Sequence, residues 1–156
     1  MDIGQTCGGE IVFHAIFDNR IKVIVIFPES PSYELLNDIF TKETHAFLLQ
    51  DKNIIVINGQ TVLEPWFTID HLRMIEAHEV GHYLADHDPT PDNTRNEIEE
   101  KEADYIGHYL LIKSNLSSAI ILHRSEYRSR YGNYPEDDTD IMSPLMKRLG
   151  LDNIDM

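Results

Sequence analysis

The chain has 156 residues, 42% hydrophobic and 26% charged, a composition that suits one folded domain and not a disordered segment. Thirteen Lys and Arg against 27 Asp and Glu leave a net charge of -14, which excludes the basic footprint of a protein that grips nucleic acid or an anionic membrane. No apolar run approaches bilayer length, no secretory signal opens the sequence, and a single cysteine excludes an internal disulfide, so a cytoplasmic protein is expected.

In chain order, residues 1–9 read as a flexible tail. Residues Glu10 to Phe27 read as a hairpin, because Ile11, Phe13, Ala15 and Phe17 alternate, Asp18-Asn19 turns, and Ile21, Val23, Val25 and Phe27 alternate again. Pro28 and Pro31 stop the sheet. A helix is expected from about Ser32 to Leu49, with Leu35, Leu36, Ile39, Phe40 and Phe47 as its apolar side. The β-branched run Ile54-Ile55-Val56-Ile57, closed by Asn58-Gly59, is the clearest strand. A long helix should start near Thr68 or Asp70 and end near Asp86, where a polar segment with Pro89 and Pro91 turns the chain. Thr94-Arg95-Asn96-Glu97 has the form of a capping box that opens a helix to about Lys113. Ser117 to Arg130 reads as another helix, Ser143-Pro144 as the start of a short last one ending at Gly150, and residues 151–156 as a second tail. Strands precede helices, which is an α+β order, in a single domain over residues 1–156.

The chemistry lies in His78-Glu79-Val80-Gly81-His82, in the middle of the long helix. Residues four apart on a helix stand one above the other, so both imidazoles project from one face. Two such nitrogens can hold one zinc ion, with Glu79 beside the place of a bound water. Gly81 is costly in a helix interior, and close packing against another element would explain it. A catalytic zinc site needs a third protein ligand. On the next helix Glu100 and Asp104 are again four apart, so Glu100 can ligate while Asp104 accepts a hydrogen bond from a ligand imidazole. Glu99, on a stripe with Ala103, Ile106 and Leu110, stays open as an alternative. Ala103 and Gly107 would let the two helices approach closely.

The strand Ile54-Ile55-Val56-Ile57-Asn58, the helix with His78-Glu79-Val80-Gly81-His82-Tyr83-Leu84, and the run Glu100-Lys101-Glu102-Ala103-Asp104-Tyr105-Ile106-Gly107-His108-Tyr109-Leu110-Leu111 together resemble the ImmA/IrrE-type zinc metallopeptidases. These are zincins whose third ligand is a glutamate on the next helix. The resemblance implies a zincin-like fold, Zn2+ held by His78, His82 and Glu100, and Glu79 as catalytic base. The substrate would be a protein or peptide, and Ile54–Asn58 is the expected edge strand for it to extend.

A second resemblance is to metzincins, whose third ligand follows the motif directly. It implies Asp88 as that ligand and Met142 in a methionine turn, although Ala85 stands where those proteins have the glycine that bends the chain. A non-catalytic zincin-fold binding protein is the rival from another class. Cys7 is a candidate thiolate ligand, and His87, His108 and His123 read as surface residues or as partners of the ligands. Trp66 reads as a core residue. Tyr131, Tyr134, His123 and Arg124 are candidates for a second oxyanion donor, and 135–140 reads as a solvated acidic turn.

Overall fold

The computed structural model describes residues 5–40, 45–87 and 97–151, and of residues 5–7, 37–40 and 50 only the backbone. The chain divides into two compact units, residues 1–76 and 77–156.

The first unit is built on a five-stranded sheet, in the order β1-β2-β3-β5-β4. Strands β1 (Gln5–Cys7), β2 (Glu10–His14) and β3 (Lys22–Ile26) form an antiparallel meander. The expected hairpin is β2–β3, with Glu10 opposite Ile26 and His14 opposite Lys22. Strand β1 falls within the segment read as a tail. Cys7 pairs with Glu10 across Gly8-Gly9, whose φ values of 58° and 81° suit a two-residue turn that only glycines enter without strain.

Helix α1 (Pro31–Phe40) starts on a proline, whose missing amide costs nothing at that position. Ser30 caps it, its hydroxyl oxygen 3.2 Å from the Ser32 amide. The expected helix to Leu49 is therefore too long: Ala46–Leu49 is strand β4, antiparallel to β5 (Ile54–Asn58). Of the apolar side expected for it, the side chains of Ile39 and Phe40 lie outside the described residues, and the rest is right except at Leu35. Tyr33 and Leu36 pack on Ile26 and Val56 with Ile24, Phe47 and Ile54, whereas Leu35 is 85% exposed. The passage from β3 through α1 brings β5 back parallel to β3.

Strand β5 lies between β3 and β4, so its backbone is engaged on both sides and it is not the edge expected to receive a substrate. Among the described residues the edges are β1 and β4. The short helix α2 (Gly59–Val62) follows, capped by the Asn58 side chain, which accepts from the Gln60 amide at 3.0 Å. Trp66 is 51% exposed and stands edge-on to His71, so the core role expected for it is not found.

Helix α3 (Ile69–Leu84) begins in the first unit and ends in the second. The second unit holds its last turns with α4 (Glu97–Lys113), α5 (Ser117–Tyr131) and α6 (Thr139–Arg148). The capping box expected at 94–97 lies mostly outside the described residues. The last helix begins at Thr139, four residues before Ser143, because the 3₁₀ turn Pro135–Asp138 leads into it, and Pro144 falls inside it. The acidic turn is solvated only in part: Asp137 and Asp140 are exposed, but Asp138 is fully buried, accepting from Tyr127 at 2.8 Å and facing Lys101 at 3.2 Å. Among the described residues no helix is long and apolar enough to cross a membrane.

Gly81 and Gly107 fix the approach of α3 and α4. A Cβ on Gly81 would drive into the Ala103 carbonyl oxygen, and one on Gly107 would come within 3.2 Å of the Ala77 backbone. The two helices touch backbone to backbone, as the small residues at 81, 103 and 107 require.

Candidate metal centre

Helix α3 is entered through Thr68, whose hydroxyl oxygen is 3.4 Å from the His71 amide. It presents His78, Glu79 and His82, a group able to hold a metal ion. The four-residue spacing stacks the two rings perpendicular to each other, with centroids 4.6 Å apart and Nε2 atoms 3.1 Å apart. Glu79 is buried, with Oε2 3.7 Å from His78 Nε2. Helix α4 brings Glu100 closer still, at 3.1 Å from His78 Nε2 and 3.3 Å from His82 Nε2. Two carboxylates therefore face one imidazole pair, Glu100 in contact with both rings.

Asp104 stands behind His78, with Oδ1 2.6 Å from Nδ1. Helix α5 surrounds the same carboxylate: Arg130 donates at 2.8 Å, the Tyr131 hydroxyl donates to Oδ2, and His123 Nε2 is 3.9 Å from Oδ1. Burial pushes Asp104 up, but His78, the nearby His123 and the Tyr131 donor outweigh it and hold it well below the usual range. Burial likewise opposes a charge on His78, yet Asp104, Glu100 and Glu79 raise it well above an ordinary histidine. Glu100 is lowered in turn, its burial outweighed by both histidines. Positive charge at the meeting point of these groups is strongly favoured.

His87, His108 and His123 are all buried, so none is a surface residue. His87 lies against His82, and its Nε2 is 2.8 Å from Glu102. His108 and His123 stack with Nδ1 atoms 3.0 Å apart, and burial with the neighbouring His123 lowers His108 to about 4. The four candidate oxyanion donors have other engagements. Tyr131 and His123 face Asp104, Arg124 pairs with Glu136, and the Tyr134 hydroxyl accepts from Arg128 while its ring lies under Arg124 and Arg128.

Asp88 lies outside the described residues, as does the side chain of Cys7. Met142 lies within α6, buried, so the methionine turn expected under the metzincin reading is a helix. Sequence reasoning missed Glu102, and it named His87 as a possible partner of the ligands without singling out His82. The available signal was the spacing of His87, five residues beyond His82 across a helix end.

Residues 40–151, well over half of the chain, match the peptidase family described as the IrrE N-terminal-like domain. No curated protein and no solved structure matches the chain.

Proposed function

The chain belongs to the IrrE N-terminal-like peptidase family, and from that premise we propose that it is a zinc-dependent metallopeptidase, with His78, His82 and Glu100 as metal ligands and Glu79 as general base. One observation carries the reading. His78 Nε2 lies 3.1 Å from His82 Nε2 and 3.1 Å from Glu100 Oε2, and the other Glu100 oxygen, Oε1, lies 3.3 Å from His82 Nε2. Donors at zinc's bond length of about 2.0–2.1 Å, placed tetrahedrally, stand about 3.3 Å apart. The two-nitrogen, one-carboxylate donor set is also that of catalytic zinc, which keeps a fourth position open.

When bound, zinc supplies Lewis acidity that polarises a peptide carbonyl and acidifies water. This chain's own residues supply the rest. Glu79, buried next to the ligands but farther from His78 than Glu100 is, takes the proton of the attacking water and returns it to the departing amine. Asp104 accepts from His78 Nδ1, which leaves the Nε2 lone pair turned toward the metal. The Arg130 and Tyr131 donors keep that carboxylate ionised and in place.

The substrate is a protein or peptide, the strong negative charge disfavours nucleic acid as a partner, and the lone cysteine favours the cytoplasm. Against the reading as a binding protein stands Glu79, since a structural metal site needs no base.

Purified protein should contain about one zinc per chain. Glu79→Gln should retain it and lose cleavage of a peptide library by at least about 100-fold. A variant that cleaves as fast as the parent would remove Glu79 from the mechanism. Intact zinc without cleavage by either form would favour the binding protein.

A further inference from the structure

His82 has its own orienting system, separate from the one behind His78. We propose that His87 and Glu102 are positioning residues that fix the ring of His82 as the Nδ1–H tautomer and so present its Nε2 lone pair to the metal. The inference rests on the metal-centre reading above and extends it to two residues that touch neither metal nor substrate.

The hydrogen-bond chain decides the tautomer. His87 Nε2 is 2.8 Å from Glu102 Oε1, and an ionised carboxylate can only accept, so Nε2 of His87 carries a proton. A neutral imidazole then has its lone pair on Nδ1. That atom is 2.9 Å from His82 Nδ1, which must donate. With its proton on Nδ1, His82 has its lone pair on Nε2, the atom 3.1 Å from His78 Nε2 and 3.3 Å from Glu100. His82 and His87 are 2% and 7% exposed, so water does not readily substitute for either partner.

The end of α3 places His87 there. Asp86 adopts the left-handed conformation, with φ 56°. The His87 amide then donates to the His82 carbonyl at 3.1 Å, and the Asp86 amide to that of Tyr83 at 3.2 Å. These are the two bonds of a Schellman cap, and they return residue 87 alongside residue 82. Glu102, from α4, completes the chain. The carboxylate–imidazole device at His78 is thus repeated at His82 with an imidazole inserted.

The test uses two substitutions of His87. An asparagine there would offer an amide oxygen near the place of the His87 Nδ1 atom, whereas a phenyl ring offers no acceptor. In metal-free parent protein, two-bond nitrogen–proton correlation spectra should show His82 protonated on Nδ1. His87→Asn should keep that tautomer and bind zinc within a few-fold of the parent. His87→Phe should lose the tautomer preference and bind zinc about 10–100-fold more weakly. A parent His82 protonated on Nε2 overturns the proposal. So does a His87→Phe variant that binds zinc as tightly as His87→Asn, whatever their difference in melting temperature, since that result assigns His87 to packing alone. A parent that binds no zinc overturns the metal-centre reading instead, and the His82 tautomer still decides this one.

Discussion

Glu76 and Asp138 are both fully buried, and their surroundings resolve the cost of a buried charge in opposite directions. At Glu76 desolvation wins: Arg73 at 2.7 Å and the Ile16 amide at 2.6 Å pull the carboxyl down, yet burial leaves it raised. At Asp138 burial also works upward, but the Tyr127 hydroxyl and Lys101 outweigh it and hold the group below the usual aspartate value. A carboxylate lowered in the folded state adds stability above its unfolded value, about pH 4, and that stability is lost as pH falls through the folded value. Asp138→Asn should therefore cost about 1–3 kcal/mol at pH 7, with the gap to the parent closing below about pH 4. Urea midpoints at both pH values measure this, and a gap that widens in acid would reverse the sign. The same contrast explains what could be read at this scale. That His78 and His82, and Glu100 and Asp104, share a helix face was legible, because a spacing of four alone brings each pair together. Glu102, Asp138 and the choice of His82 as the partner of His87 were not, because a helix cap and a 3₁₀ turn create their environments.

Between elements, the contact of α3 with α4 sets how His78 and His82 stand against Glu100. Gly81 and Gly107 both lie in it, but unequally. An added methyl at 81 meets the Ala103 carbonyl oxygen head-on, and backbone cannot swing aside. One at 107 is only tight, 3.2 Å from the Ala77 backbone. Overpacking of this kind costs about 1–3 kcal/mol or more, so Gly81→Ala should be the worse variant by at least about 1 kcal/mol. It should also weaken binding at the proposed zinc site more, because it separates His78 and His82 from Glu100. Thermal melts and chelator competition on the two variants check both statements, and equal losses would mean that the helices slide freely. Helix α3 was legible from its Thr68 cap, and the glycine at 81 already pointed to a close neighbour. Strand β4 was not. Ala46-Phe47-Leu48-Leu49 has no alternation of its own and is a strand because it pairs with β5.

At the scale of the molecule, the order of strands before helices was legible, since a change of hydrophobic period along the chain marks it. The parallel pairing of β3 with β5 was not, because no local signal links Lys22 to Ile54. In the second unit, every residue of α4 from Ala103 to Leu111 is buried, nine in succession, with no face left for water. An amphipathic helix can lift its solvent side and fray in pieces. This stretch cannot, because each amide is shielded by packing on all sides as well as by its own hydrogen bond. Its hydrogens should exchange with solvent only when the surrounding packing is lost as a whole, at rates that report the full unfolding free energy. In deuterium-exchange mass spectrometry the peptide over 103–111 should be the last of α4 to take up label, with the end near Glu97 and Ile98 far ahead of it. A turn-by-turn gradient running through 103–111 would show instead that the buried helix unravels from one end.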